Sequence, residues 1–174
     1  MKNLSLNEYT LWLESESEKY TRLKNIIVDF STEAQSPLFE PHVTLLGGIS
    51  IAMPVEKIIE KMKTLTEKRG TITLSLTATH SSDSYYQSIF LECKKTKVLA
   101  SLNHKAQKLF SQTGEYNPHL SLLYSNISQT KKNLLLKKIS HKIVLPLNFV
   151  VDKISLWKAL GLAERWQKIY DIFW

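Results

Sequence analysis

The octapeptide PHVTLLGG at residues 41–48 returns, little changed, as PHLSLLYS at residues 118–125. Each copy sets a histidine and a small hydroxyl residue two positions apart in an apolar run, and each reads as a β-strand. Side chains at i and i+2 of a strand point to the same face. His42 therefore shares a face with Thr44, and His119 with Ser121. Val43 and Leu45, like Leu120 and Leu122, turn the other way into a core. A fold built on this pattern needs two rigid strands, each with an apolar back and an imidazole–hydroxyl pair in front.

The surroundings repeat as well. EYTLWL at 8–13 alternates as a strand does. Residues 17–31 carry Tyr20, Leu23, Ile26, Ile27 and Phe30 as the apolar stripe of a helix. HVTLL follows as the first motif strand, ended by Gly47–Gly48. Pro54 opens a second helix that runs to about Arg69. TITLSLTAT at 71–79 and YQSIFLEC at 86–93 form two strands around the turn SSDSY. A third helix covers 96–112, HLSLLY is the second motif strand, and a Lys- and Leu-rich helix spans 130–140. Two closing strands, 145–158 with a break near Asp152 and 166–173, complete the chain. The order strand, helix, motif strand, helix thus occurs twice, with His42 and His119 77 residues apart. The expected fold is α+β, a single bilobal domain over residues 1–174. Its two pseudo-symmetric lobes, with mainly antiparallel sheets, each present one motif strand to a central cleft.

Composition narrows what such a cleft serves. The chain is 43% hydrophobic and has no run of about 18 apolar residues, so it reads as globular without a membrane span. The N-terminus lacks the apolar core of a signal peptide, and the cytoplasm is the expected compartment. Cys93 is the only cysteine, which excludes an internal disulfide and a cysteine-built zinc site. The net charge of +7 is mostly lysine, with Arg22, Arg69 and Arg165 the only arginines. A lysine-rich surface serves solubility as readily as an anionic partner, and bidentate phosphate recognition favours arginine.

Two imidazoles and two hydroxyls facing one cleft suit phosphodiester hydrolysis. Histidine titrates near 6.5, so one ring can take a proton from water while the other gives one to the leaving oxygen. The Thr44 and Ser121 hydroxyls can donate to phosphoryl oxygens as charge builds there. Neither motif is accompanied by a cluster of Asp, Glu, His or Cys, so no metal and no cofactor is expected.

With FEPHVTLLGG and YNPHLSLLYS as its motifs, the chain resembles the 2H phosphoesterase superfamily. Within it, the resemblance is closest to the 2′,3′-cyclic nucleotide phosphodiesterases of plants and yeast. The early strand EYTLWLES and the tail VVDKISLWKALGLAERWQKIYDIF extend the likeness along the whole chain. The resemblance implies two α+β lobes around a water-filled cleft. It also implies metal-independent opening of 2′,3′-cyclic nucleotides to nucleoside 2′-phosphates, and of ADP-ribose 1″,2″-cyclic phosphate to ADP-ribose 1″-phosphate, a late product of tRNA splicing. Catalytic roles carry over onto His42, Thr44, His119 and Ser121, with His42 as acid and His119 as base. Trp12 matches the aromatic residue beside the nucleotide, and Tyr124 the tyrosine near the phosphate. Cys93, being alone, cannot form the disulfides of some plant relatives.

The residues by themselves add detail. Trp12 shares a face with Thr10 and Glu14, which favours the cleft border and stacking on a base. Tyr124 falls on the face opposite His119 if its strand stays regular, and reaches the phosphate only through a bend after Leu123. Trp157, with Ser155 and Ala159 on its face, fits a cleft wall or the core equally. His80 and His104 read as surface residues, His141 as a helix-end residue, Cys93 as core. Two other readings stay open: hydrolysis of the 2′,3′-cyclic phosphate at RNA 3′ ends, which calls for a basic track, and a noncatalytic nucleotide- or RNA-binding protein. A small cyclic nucleotide as partner, no membrane and no obligate protein partner, hence a monomer, complete the expectations.

Overall fold

The computed structural model describes residues 6–67 and 70–174. The elements run β1 (Leu6–Glu14), α1 (Glu18–Ala34), β2 (Val43–Ser50), α2 (Val55–Thr66), β3 (Ile72–Ser81), β4 (Ile89–Cys93), α3 (Lys97–Leu109), β5 (His119–Leu123), α4 (Gln129–Ile139), β6 (Leu147–Val151), β7 (Lys153–Gly161) and β8 (Gln167–Phe173). Short 3-10 turns lie at Tyr85–Gln87 and Ala163–Arg165.

Local chemistry sets the boundaries. The hydroxyls of Ser17, Thr96 and Ser128 accept the backbone N–H of Tyr20, Leu99 and Lys131, capping α1, α3 and α4. Helix α2 starts directly after Pro54 and ends at Thr66, before the expected end; Arg69 lies outside the described residues. The strand expected over 86–93 begins only at Ile89. Ser82 Oγ donates to Gln87 O at 2.8 Å and Gln87 N–H to Ser84 O at 3.0 Å, which curls Tyr85–Gln87 into a turn. Strand β2 does not end at Gly47–Gly48 but continues to Ser50, with Gly48 at φ 69, a value that suits glycine. The expected break at Asp152 separates β6 from β7.

All strand pairs are antiparallel, in the order β6-β3-β4-β5-β2-β1-β7-β8. The two expected lobes are the two four-stranded halves of this sheet, joined through β2 and β5. They are not the two halves of the sequence. Strand β6 pairs with β3, while β7 and β8 return to extend the half begun by β1 and β2. The helices cross over too. Helix α1 leads into β2 but packs against β5, and α3 leads into β5 but packs against β2. The α1 stripe of Leu23, Ile26, Ile27 and Phe30 is buried, as are Leu99, Leu102 and Ala106 of α3.

The pairing of β1 with β2 shifts register twice, between Tyr9 and Leu11 and between Leu11 and Trp12. Two carbonyls at this irregularity take side-chain donors: Leu46 O receives Thr10 Oγ1 at 3.1 Å, and Leu45 O receives Asn103 Nδ2 at 2.8 Å. Bulges of this kind re-aim a strand beside functional sites, and here the shift sets Trp12 across from Thr44. Asn103 is buried, so its loss leaves a desolvated carbonyl without that donor. Asn103→Ala is expected to destabilise the fold by about 1–3 kcal/mol in urea titration; an unchanged midpoint would show that the Leu45 carbonyl is satisfied without it.

Candidate active site

Strands β2 and β5 meet at one pair, Val43 with Leu120. Extending that antiparallel register by one residue each way sets His42 across from Ser121 and Thr44 across from His119. Val43 and Leu120 are buried in the core, so the four polar side chains share the opposite face. All four line one cleft of about 250 Å³. The sequence expectation that both motif pairs converge is therefore met in space.

Each imidazole is held the same way. His42 Nδ1 lies 2.7 Å from Glu40 O, and His119 Nδ1 lies 3.0 Å from Asn117 O. In both motifs the accepting carbonyl belongs to the residue before the proline. Proline disfavours a helical residue ahead of it, which keeps that segment extended. With Nδ1–H donating to the backbone, Nε2 carries the lone pair. Tyr124 Oη stands 3.5 Å from His42 Nε2, and Gln87 Nε2 donates to His119 Nε2 at 2.9 Å.

The environments differ. His42 is 7% exposed. Its ring stacks on the Trp12 indole at 3.5 Å and 3° from parallel, and Phe39 approaches its edge at 6.4 Å. Burial pushes its pKa down to about 3, against the Glu40 carbonyl that raises it, and the nearby His119 adds to the depression. His119 is half-buried, with Phe90 edge-on at 5.5 Å. Burial lowers its pKa as well, opposed by the Asn117 carbonyl. Ser121 is buried and its hydroxyl donates to Tyr86 O at 2.7 Å. Thr44 is half-buried, and its carbonyl accepts from Tyr116 Oη at 3.2 Å.

The structure decides three of the aromatic expectations. Trp12 does border the cleft, but it offers no open face to a base. It is 2% exposed and stacked between His42, just ahead of β2, and Trp157 on β7, strands that flank β1 on opposite sides. Tyr124 does reach the site: β5 ends at Leu123, the alternation ends with it, and the phenol turns to the His42 side, stacked on Phe39 at 3.7 Å. Trp157 does not line the histidine cleft. It walls an adjoining pocket of about 360 Å³ with Trp12, Phe39 and Trp166, and Lys168 Nζ sits 5.5 Å over its ring. His80, His104, His141 and Cys93 behave as read: the first three are exposed and Cys93 is core, its thiol pushed up to about 11 by burial.

The cleft also takes residues that neither motif contains. Gln87 and Tyr86 arrive on the 3-10 turn, and Trp166 on the β7–β8 hairpin. The expected strands over 86–93 and 166–173 take in all three, whereas the structure puts them on turns ahead of β4 and β8. Phe39 and Tyr116 did carry a signal. Each stands three residues before its motif histidine, and each reaches the other motif, Phe39 at Tyr124 and Tyr116 at Thr44.

Comparison with known proteins assigns the architecture. The family described as cyclic phosphodiesterase-like protein matches residues 8–158, which takes in both motifs. The chain belongs to that family. Within reach of it are the cyclic phosphodiesterase of Arabidopsis thaliana, 24% identical over 134 residues, 76% of this chain and 73% of that protein. The 2′,3′-cyclic-nucleotide 3′-phosphodiesterase of Kluyveromyces lactis is 29% identical over 138 residues, 68% of this chain and 64% of that protein. E. coli LigT, solved with 3′-AMP, superimposes with a TM-score of 0.64 at 12% identity, covering 96% of this chain and 97% of its own. The fold is that of the LigT-like 2H phosphoesterases. The cyclic phosphodiesterase-like family makes the chain an enzyme, and hydrolysis of a cyclic phosphodiester its class of reaction.

The neutral His42 has a consequence for stability. Its native pKa lies below the unfolded value, so below pH 6.5 the unfolded chain binds a proton that the native one refuses. Stability contributed in this way is present above about pH 6.5 and lost as pH falls toward about 3. The slope for one proton is about 1.4 kcal/mol per pH unit. Urea titrations of His42→Asn across that window are expected to show a shallower pH dependence than the parent chain; equal slopes would mean that His42 is not held neutral.

Proposed function

We propose that the chain opens 2′,3′-cyclic nucleotides to nucleoside 2′-phosphates, and ADP-ribose 1″,2″-cyclic phosphate to ADP-ribose 1″-phosphate. His42 is the general acid, His119 the general base, and Thr44 and Ser121 hold the phosphoryl oxygens; no metal takes part. The observation that carries this reading is the β2–β5 register, which brings two imidazoles with pinned Nδ1 atoms and two hydroxyls into one cleft. The name of the Kluyveromyces lactis relative, a 3′-phosphodiesterase, supports departure of the 3′ oxygen.

His119, half-buried, is the ring that water reaches, and its Nε2 lone pair takes the water proton once Gln87 lets go of it. His42 is closed off from solvent behind Trp12 and Tyr124. Its neutral state reflects burial, and the negative charge of a bound phosphodiester offsets that by favouring the imidazolium. A ring that holds its proton weakly is then a strong acid toward the departing alkoxide. The Ser121 hydroxyl turns from Tyr86 O to the phosphate. Binding a phosphate analogue near pH 7 should therefore be accompanied by proton uptake, read by calorimetry in buffers of different ionisation enthalpy. Absence of uptake would mean that binding does not charge an imidazole.

Among the described residues the cleft is lined by no lysine or arginine, and Glu8 is the only charged residue at its wall. Many lysines are paired elsewhere, Lys24 with Glu40, Lys132 with Asp83, Lys138 with Glu33 and Lys142 with Asp29. This supports a small nucleotide over RNA 3′ ends, which want a basic track. The reading carries with it a cytoplasmic monomer; among the described residues no helix is long and apolar enough to cross a membrane.

Turnover in EDTA of 2′,3′-cyclic AMP, ADP-ribose 1″,2″-cyclic phosphate and a short RNA with a 2′,3′-cyclic phosphate end tests the reading. The two small substrates are expected to be preferred and the chelator to have no effect, since no group of three His, Cys, Asp or Glu among the described residues is placed to hold an ion. Loss of turnover restored by one added metal overturns metal independence. His42→Ala and His119→Ala should each cost about 10²–10⁴-fold. A substrate with a far more acidic 3′ leaving group should rescue His42→Ala and not His119→Ala; the opposite rescue reverses the two roles.

A further inference from the structure

Stacking on a nucleobase needs an open ring face. Trp12 has its faces taken by His42 at 3.5 Å and Trp157 at 4.3 Å. Two other aromatic rings stand at the same cleft, and the contacts they make there are edge-on or tilted rather than stacked: Tyr86 is nearly perpendicular to Tyr85 at 5.0 Å and to Tyr124 at 5.2 Å. Tyr86, on the Tyr85–Gln87 turn, and Trp166, just ahead of β8, both line it and both are half-buried. Their ring centroids are 6.0 Å apart and their planes 33° from parallel. They come from opposite halves of the sheet. Tyr86 precedes β4 on the His119 side, and Trp166 sits in the β7–β8 hairpin on the His42 side.

We infer that Tyr86 and Trp166 form a clamp that takes the nucleobase between them. The base lies across the mouth of the cleft while its cyclic phosphate sits between the two histidines. The identity of the ligand rests on the cyclic nucleotide reading; the clamp itself rests on the two rings. A flat base between two rings needs about 7 Å, two contacts of roughly 3.5 Å each. The pair must therefore open by about 1 Å and lose its tilt. Short turns carry both rings, and the hairpin leaves β7 at Gly161, whose φ is 75. Trp166 Nε1 donates to Gly161 O at 3.3 Å, which ties the indole to its own hairpin rather than to the far wall. The edge of Trp12, 5.8 Å from Trp166, and Tyr124, 5.9 Å from it, set the indole beside His42. A base held there leaves its ribose pointing into the cleft.

Titration calorimetry on the full chain tests the clamp without requiring turnover, with adenosine 2′-phosphate and inorganic phosphate as probes. Trp166→Leu is expected to weaken adenosine 2′-phosphate about tenfold or more, the scale of a base–aromatic stack, and to leave inorganic phosphate unchanged. Trp166→Phe should recover most of the loss. In turnover, the Leu variant should raise KM for 2′,3′-cyclic AMP with kcat little altered. Tyr86→Leu, on the other half, should repeat the pattern and stands in if Trp166→Leu fails to fold. Undiminished adenosine 2′-phosphate affinity in either Leu variant overturns the clamp. So does an equal loss for inorganic phosphate, which would make the ring a support of the phosphate site only. A parent chain that shows this binding pattern but hydrolyses no cyclic phosphate upholds the clamp and sinks the hydrolytic reading. A parent chain that binds neither probe sinks both.

Discussion

One backbone pairing, Val43 with Leu120, holds the candidate site together. The two residues occupy equivalent places in the repeated motif, so the approximate two-fold axis relating the motifs runs through their pair. Everything polar in the cleft follows from it. Each histidine faces the hydroxyl residue of the other motif, and neither motif alone carries an imidazole with a hydroxyl across from it. The apolar backs of both strands are buried, and a slip of either strand by one residue would turn its imidazole into that core and away from the other.

The symmetry is broken by what lies beside the motifs. Trp12 pairs with Thr44 across β1–β2, and Phe90 pairs with Ser121 across β4–β5. The indole lies flat on His42, whereas the phenyl ring meets His119 edge-on. After the two leucines of each motif comes Gly47 in the first and Tyr124 in the second. Gly47 leaves room on its side, where a Cβ would come within 3.1 Å of Glu8 Oε1. Tyr124 fills the site from the other and closes over His42. One histidine is thus buried and the other half-buried, and burial lowers the pKa of both.

Much of the site was legible because strand alternation is a strict rule. Once His42–Thr44 and His119–Ser121 were read on strands, their common faces followed. The four helices were legible from the period of their apolar residues, and mainly antiparallel sheets were expected; the strand order and the Ser and Thr caps appear only in the structure. What escaped reading depends on contacts between distant segments. Trp12 looked open on its own strand and is covered by His42, just ahead of β2, and by Trp157 on β7. Tyr124 depended on where β5 stops, and a strand end has no period. Gln87, Tyr86 and Trp166 sit on turns, whose direction is set by hydrogen bonds such as Ser82 to Gln87 O. Phe39 and Tyr116 show the limit from the other side: their repeat was in the sequence, but their targets lie in the opposite motif.

The crossing of α1 beneath β5 and of α3 beneath β2 makes each half a stranger to its own helix. A chain cut between β2 and β3 would leave the first fragment with a motif strand but without the helix that supports it, and the second fragment would lack its support in the same way. Two such pieces have reason to fold only in each other's company. Seen as a dimer rather than a monomer, the arrangement is that of two β-α-β units that have traded helices and been joined end to end. The cleft is then an interface between subunits in all but covalent structure, and its two histidines are one from each.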